Sequence, residues 1–210
     1  MIISEKYKFI ILSVPKTGST AMQHMFKVAL DDEVRCVYRN NTSGVKLRKH
    51  ITATELKAKV DNYDSYKKIA VVRNPWDYVV SWYAYTRRLP KEHPRSSVDK
   101  DFNEFVKTMK HVWFNYPEPS RRKTWNITQM SFISNNANKI LVDAVIRFED
   151  LRKDGISKTM NKLLNIDLGE DVIKNDSQRS EDYRDYYNQE AIEIVRKAMS
   201  IDITTFDYEY

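Results

Sequence analysis

The chain has 210 residues, enough for one domain with a full hydrophobic core and too few for two. Its 41% hydrophobic and 30% charged residues are typical of an ordinary globular protein. The single Cys36 excludes an internal disulfide framework and a multi-cysteine metal site, and the net charge of +6 favours an anionic ligand. We therefore predict a single domain over residues 1–210.

The N-terminal stretch MIISEKYKFIILSV carries Glu5, Lys6 and Lys8 within its apolar residues. It is too short and too charged for a transmembrane helix, and it lacks the layout of a signal peptide. We expect a cytoplasmic protein without stable membrane insertion and without a nucleic-acid partner.

In chain order, apolar β-branched runs that are typical of strands occur at 7–14, 35–39, 67–74 and, as a further central strand, 141–150. Helical spacing predicts helices that begin at residue 19 and at Pro75, others over 101–114, 125–134 and 156–164, and one long helix over 183–199. Loops rich in proline and charge are predicted at 89–97 and 117–123. This alternation predicts a three-layer α/β domain in which helices flank a mostly parallel sheet.

Residues 14–20, VPKTGST, join the first predicted strand to the first predicted helix. Gly18 permits a tight turn, and the free N–H groups of a helix that begins at Ser19 and Thr20 favour an anion. Lys16 adds a mobile positive charge. The order differs from the G-x-x-x-x-G-K-[ST] loop of nucleotide hydrolases. The loop is predicted to bind a phosphate-like group, the alternative being a polar turn with a helix cap.

The segment VVRNPWDYVVSWY, residues 71–83, contains a second candidate anion site. Arg73 ends a predicted strand, and Ser81 lies two turns into the helix that follows. The planar guanidinium suits phosphate oxygens, and a serine hydroxyl adds a neutral donor. Ligands of parallel α/β sheets bind beyond the carboxyl ends of the strands, where both segments are predicted to lie. The alternative is a surface ion pair between Arg73 and Asp77.

Together, VPKTGST and VVRNPWDYVVSWY resemble the sulfotransferase family, in particular its carbohydrate and membrane-type branch and its bacterial relatives. The resemblance continues through ITQMSFI, VIRFEDL and NDSQRSEDYRDYYNQEAIEIV, although the frequent FGY near the end reads FDYEY here. It implies a P-loop-like sulfotransferase fold and a metal-free transfer of a sulfo group. The implied donor is 3′-phosphoadenosine 5′-phosphosulfate (PAPS), and the implied acceptor is a hydroxyl group.

The resemblance also implies roles for individual residues. Those implied to hold the 5′-phosphosulfate are Lys16, Thr17, Gly18, Ser19 and Thr20. Arg73 and Ser81 are implied to hold the 3′-phosphate. Lys16 has a catalytic role as well, because negative charge grows on the leaving phosphate oxygen during transfer.

The acceptor hydroxyl must lose a proton, and His50 in KHITATELK is the candidate general base. In bacterial relatives a similar lysine–histidine pair carries the usual candidate base. Glu55 and Asp77 are the carboxylates that remain as alternatives. Nothing around His24, His93 or His111 argues for chemistry.

Two other classes of protein stay open: a P-loop nucleotide-dependent kinase, and a non-catalytic protein that binds phosphoadenosine or a sulfated glycan. The missing P-loop order argues against the first, and the presence of Lys16 and His50 argues against the second. The branch resemblance favours a carbohydrate hydroxyl, so the expected partner is a small-molecule or glycan acceptor. The basic runs at 46–49, 87–88 and 121–123 are candidates for contact with an anionic glycan, with solvated surface charge as the default interpretation.

Overall fold

A computed structural model of the chain describes residues 1–37, 47, 49–114, 128–171 and 182–210, with the backbone alone for 110–114. The chain divides into two compact units. The first comprises Met1–Arg73 and Gln129–Asp176, and the second comprises Asn74–Thr128 and Ser177–Tyr210. No helix in the described part of the chain is long and apolar enough to cross a lipid bilayer.

The described residues form five strands and a set of helices. The strands are β1 (Ile2–Ser4), β2 (Phe9–Leu12), β3 (Arg35–Cys36), β4 (Lys67–Val72) and β5 (Ala144–Arg147). The α-helices are α1 (Ser19–Leu30), α2 (Ala53–Lys57), α3 (Pro75–Thr86), α4 (Phe102–Phe114), α5 (Met130–Ile133), α6 (Phe148–Asp154), α7 (Ile156–Leu164), α8 (Gln189–Ala198) and α9 (Ser200–Phe206). The helices predicted from residue 19, from Pro75, over 101–114 and over 156–164 are confirmed.

The first unit contains one sheet, with its described strands in the order β3-β1-β2-β4-β5. β2 pairs in parallel with β4, and β4 pairs in parallel with β5. β1 runs antiparallel to both β2 and β3. All described strands except β1 therefore share one direction, and the predicted α/β class with a mostly parallel sheet is confirmed.

One face of this sheet packs against α1, α6 and α7. Because side chains alternate along a strand, β2 and β4 present every second residue to this face. The buried residues that share this core include Phe9, Ile11, Ile69 and Val71 from the strands, Met22 and Phe26 from α1, Leu151 from α6 and Met160 from α7. This packing holds the start of α1 close to the carboxyl end of β2.

Two strand predictions in this unit need correction. The strand predicted over 7–14 spans only Phe9–Leu12. Residues 2–4 form an earlier strand, β1, and the chain then turns and pairs antiparallel with it as β2. A strand of three residues is too short to produce a detectable period. The predicted central strand over 141–150 is wrong in position, since β5 lies at the edge of the described sheet and α6 begins at Phe148. An apolar run of this length has the same pattern at an edge as at the centre.

The second unit consists of helices around an aromatic core. Asn74 caps α3, because its Oδ1 accepts a hydrogen bond from the Trp76 N–H at 3.0 Å. The core side chains, contributed by α3, α4 and α8, include Trp76, Val79, Tyr83, Phe105, Val106, Ala191 and Val195. The buried face of α3 is therefore continuous with the packing of α4 and α8.

The single long helix predicted over 183–199 is wrong. A 3₁₀ turn covers Tyr183–Tyr186, and α8 begins only at Gln189. The side chain of Asn188 accepts a hydrogen bond from the Ala191 N–H at 2.9 Å, which caps a new helix at that point. Asparagine favours such caps over helix interiors because its short side chain competes for backbone groups.

Some predicted elements fall partly or wholly outside the described residues. The strand predicted at 35–39 is described to residue 37, and the loop predicted at 117–123 lies outside the description. Of the helix predicted at 125–134, the described part contains α5. The basic run at 121–123 also lies outside the described residues, as do Lys46 and Arg48 of the run at 46–49.

Candidate functional site

The 14–20 loop follows β2 and has an unusual backbone. Lys16 has a φ of 61° and Gly18 a φ of 78°, both in the left-handed region. The buried Thr17 hydroxyl donates to the Val14 carbonyl at 2.9 Å, so this side chain closes the loop on itself. A Cβ at Gly18 would lie 2.9 Å from Cε2 of Phe148. Position 18 therefore requires glycine for its backbone angle and for lack of space.

The loop ends where α1 begins. Gly18 is the N-cap of α1, and this fully described helix has no side-chain cap and no acidic residue in its first turn. Ser19 is buried, and Thr20 is exposed. The backbone N–H groups at the start of α1 thus have no side-chain cap, an arrangement that favours an anion, as the sequence led us to expect.

Arg73 lies directly after β4, and its guanidinium contacts the 14–20 loop. Its Nη1 donates to the Lys16 carbonyl at 3.1 Å, and its guanidinium carbon lies 4.3 Å from the centre of the Phe148 ring. The residue is buried. The two segments that the sequence singled out are therefore brought together in the first unit at the level of Lys16 and Arg73.

His50 and its neighbour Lys49 lie beside the same loop. His50 Nδ1 is 2.7 Å from the Ser13 carbonyl oxygen. A carbonyl only accepts, so Nδ1 carries the hydrogen, and Nε2 of the neutral ring holds the lone pair. Lys49 Nζ donates to the Thr20 hydroxyl at 3.0 Å, and burial lowers the pKa of Lys49. The lysine–histidine pair thus contacts the residue just before the 14–20 loop and the last residue of the loop.

Sequence reasoning named His50 as a candidate but assigned no donor-site role to three residues that contact the predicted site. Lys49 was placed in the basic run at 46–49, a candidate for glycan contact with solvated surface charge as the default interpretation. Gln129 is fully buried and hydrogen-bonds to the backbone of Arg73. Phe148 lies between Gly18 and the Arg73 guanidinium. The last two belong to ITQMSFI and VIRFEDL, segments that carried the resemblance without an assigned role.

The remaining candidate residues have other positions. Ser81 belongs to the second unit, where it is buried on α3. The Glu55 side chain accepts a hydrogen bond from the Thr52 N–H at 3.4 Å in the capping box of α2, which gives this carboxylate a structural role. Asp77 is buried in the first turn of α3. His93 Nδ1 accepts a hydrogen bond from the Arg95 N–H at 3.1 Å.

His24 is half-buried on α1, and the side chain of His111 lies outside the description. Cys36 is buried. Among the residues that the structure describes, no group of three or more histidine, cysteine or carboxylate side chains could hold a metal ion.

Comparison with known proteins identifies the class. The model of the Sulfotransferase family matches residues 1–209. The chain therefore belongs to the sulfotransferase family, whose members transfer sulfo groups, and the resemblance inferred from the motifs is confirmed. No curated protein matches the chain.

One solved structure with a similar chain is that of mouse sulfotransferase SULT7A1 complexed with PAP. The two chains are 18% identical, and the match covers 99% of this chain and 70% of the mouse chain. The TM-score is 0.38, which is too low to support an argument about the site.

Proposed function

We propose that this protein transfers a sulfo group from PAPS to the hydroxyl of a small-molecule acceptor, with a carbohydrate as the favoured acceptor. The proposal treats residues 1–210 as one sulfotransferase domain. The observation that carries it is the contact of the Arg73 guanidinium with the carbonyl of Lys16, at 3.1 Å. This contact joins the two segments that the family resemblance assigns to the two ends of the donor.

The 5′-phosphosulfate is assigned to the start of α1. Backbone N–H groups after Gly18 would bind its oxygens, and Lys16 and Lys49 would supply positive charge. The Thr17 hydroxyl donates within the loop, so Thr17 would contribute through its backbone, whereas Ser19 and Thr20 also carry hydroxyls. Since burial lowers the pKa of Lys49, a bound anion would restore part of the stabilisation that its ammonium group loses to burial.

The 3′-phosphate is assigned to Arg73 and, from the family resemblance, to Ser81. A guanidinium presents five N–H donors in one plane, so a single side chain can hold a loop carbonyl and a phosphate together. Phe148 stacks on this plane and restricts its rotation. Arg73 would thus be held ready for the phosphate before the donor binds.

The reaction is an in-line displacement at sulfur. The acceptor oxygen forms a bond to sulfur while the bond from sulfur to the leaving phosphate oxygen breaks. His50 Nε2 accepts the proton of the acceptor hydroxyl, and the Nδ1–H contact with the Ser13 carbonyl holds the ring in the required tautomer. Lys16 stabilises the charge that develops on the leaving oxygen.

Donor binding provides the first test. Adenosine 3′,5′-bisphosphate should raise the melting temperature without added magnesium. At a hundred times its dissociation constant it should increase the free energy of unfolding by about 2.7 kcal/mol. ATP with magnesium should stabilise the protein distinctly less. The opposite ranking would support a nucleotide-dependent kinase.

Transfer itself needs an assay with acceptors. Incubation with labelled PAPS and a panel of glycans, lipids and phenols, followed by mass spectrometry, identifies the sulfated product. A sulfated glycan is the expected result. Binding of adenosine 3′,5′-bisphosphate with no transfer to any acceptor of the panel would support a non-catalytic binding protein instead.

A further inference from the structure

Gln129 makes a two-point contact with the backbone of Arg73. The Arg73 N–H donates to Gln129 Oε1 at 2.8 Å, and Gln129 Nε2 donates to the Arg73 carbonyl at 2.6 Å. The glutamine is fully buried. A primary amide that pairs in this way satisfies both polar groups of one residue, as a neighbouring strand does in a sheet.

The position of this contact matters because the sheet ends there. The last paired residues of β4 and β5 are Val72 and Arg147. Arg73 lies one residue beyond that pair, and the Gln129 side chain bonds to its backbone as a strand neighbour would. Two hydrogen bonds on one residue restrain the peptide planes on both sides of its Cα atom. They therefore restrain the direction in which the Arg73 side chain leaves the backbone.

The Arg73 side chain is in turn restrained at its far end. Phe148 stacks on the guanidinium, and the Lys16 carbonyl accepts a hydrogen bond from it. Gln129 thus restrains the Arg73 backbone, and Phe148 and the Lys16 carbonyl restrain the position of the guanidinium. A guanidinium placed in this way depends on its backbone, because small changes in direction at Cα become larger displacements at the end of a long side chain.

We propose that Gln129 is a positioning residue for Arg73 and thereby sets the preference of this protein for ligands that carry a 3′-phosphate. The inference rests on the proposed function, since it assumes that Arg73 holds the 3′-phosphate. Gln129 itself need not contact the donor. Its effect is transmitted through the Arg73 backbone.

The test measures a ratio of affinities that a general loss of stability does not change. Dissociation constants for adenosine 3′,5′-bisphosphate and adenosine 5′-phosphate are measured by calorimetry, and their ratio gives the 3′-phosphate preference. Arg73→Ala should reduce the preference about 30-fold, since it removes hydrogen bonds between two charged groups. Gln129→Met, which keeps the length of the side chain, should reduce it about 5-fold, within the usual range for coupled neighbours.

Gln23 offers a matched control. It is also a fully buried glutamine, and its Nε2 donates to two backbone carbonyls, those of Met1 and Val37, at 3.2 and 3.0 Å. Gln23→Met should lower the melting temperature and leave the 3′-phosphate preference within 2-fold of the wild type. The double variant Arg73→Ala/Gln129→Met should show no loss of preference beyond that of Arg73→Ala, because the glutamine acts through the arginine.

The outcomes separate the two proposals. If Arg73→Ala keeps the full preference, the assignment of the 3′-phosphate in the proposed function is wrong. If Arg73→Ala loses the preference while Gln129→Met behaves as Gln23→Met does, only the role of Gln129 is overturned. If Gln129→Met does not fold, Gln129→Asn keeps the amide but shortens its reach, and an unchanged preference in that variant also overturns the inference.

Discussion

At the two ends of the sheet in the first unit, lysine side chains have different kinds of partner. At the amino ends of β4 and β5, the buried Lys68 pairs with Asp143, whose Oδ2 lies 3.0 Å from Nζ and 2.7 Å from the Lys68 backbone nitrogen. At the carboxyl ends, Lys49 donates to the neutral hydroxyl of Thr20, and burial lowers the pKa of this lysine. Lys68 therefore forms an ion pair with a carboxylate, whereas Lys49 forms a hydrogen bond with a neutral hydroxyl.

We propose that the amino end stabilises the sheet and that the carboxyl end binds a ligand. Lys68 also lies over the ring of Tyr63, whose hydroxyl donates to the Leu141 carbonyl at 3.2 Å, so the polar groups there are satisfied within the protein. At the carboxyl ends, Lys49 contacts Thr20 in the first turn of α1, and Arg73 contacts the carbonyl of Lys16 in the preceding loop. We propose that the negative charge at this end comes from the donor.

The largest expected effect concerns His50. His50→Ala should lower turnover about 10²–10⁴-fold while donor affinity barely changes, because a general base acts on the acceptor proton. The acidic limb of the pH–rate profile should also disappear, since a base loses activity as pH falls and its ring becomes protonated. Steady-state kinetics over a pH series check both. His93→Ala is the control and should leave turnover unchanged.

A purely structural His50 would give a different result. Its replacement would lower the melting temperature and leave turnover per folded molecule within a few fold. The proton acceptor would then have to be sought among the carboxylates, with Glu55 and Asp77 as the first to replace.

Lys16→Ala should lower turnover about 10²–10³-fold, the usual cost of losing one donor to a developing oxyanion. Ground-state donor binding should weaken less, because the leaving-group charge appears only in the transition state. Lys8→Ala is a matched control at the other end of β2, since Lys8 also has a left-handed φ, of 52°. Equal effects of the two variants on turnover would show that backbone strain, not charge at the loop, is responsible.

Lys49→Met should weaken binding of adenosine 3′,5′-bisphosphate about 10-fold, the low end of the range for a charged hydrogen bond. The pH dependence has a definite sign. Burial lowers the pKa of Lys49, and an anion favours the protonated amine. Wild-type affinity should therefore fall as pH rises through that lowered pKa, and the variant should lose this dependence.

Calorimetry at neutral and alkaline pH measures the Lys49 effect. Lys57→Met is a suitable control, because Lys57 is exposed and pairs with Asp64 at 3.1 Å. An alkaline fall in affinity that persists in Lys49→Met would assign it to another group.

The smallest effect is expected at the amino end of the sheet. Burial acts to raise the pKa of Asp143, but its hydrogen bonds with the backbone and side chain of Lys68 outweigh this and lower the pKa below 3.8. Asp143→Asn should cost about 1 kcal/mol of stability at neutral pH, because the carboxylate is half exposed and screened by water. Turnover per folded molecule should not change.

The sign of the Asp143 effect follows from linkage. A lowered carboxyl pKa stabilises the fold above the unfolded value of 3.8, and the contribution is lost as pH falls through the folded value. Urea unfolding at several pH values should show the difference between wild type and Asp143→Asn closing in acid. Reduced turnover in Asp143→Asn would remove the contrast between the two ends.

The sequence by itself determined the α/β class and four of the described helices, and it predicted the site segments. These features have local causes: hydrophobic period, a proline after a capping Asn74, and a Lys-Gly-Ser-Thr loop between a strand and a helix. The family resemblance added the expected donor and the roles proposed for Arg73 and His50. Local reasoning failed where two local signals compete, as at Asn188, where a helix cap overrides a continuous helical pattern.

Only the tertiary structure decided which distant residues meet at the site. Gln129 contacts Arg73 across 56 positions, and Lys49 contacts Thr20 across 29. Phe148, at the start of α6, leaves no space for a side chain at position 18. No period or motif encodes these contacts, because they depend on strand order and on how helices pack against the sheet. The side chains that position the site were therefore visible in the sequence as residue types but not as neighbours.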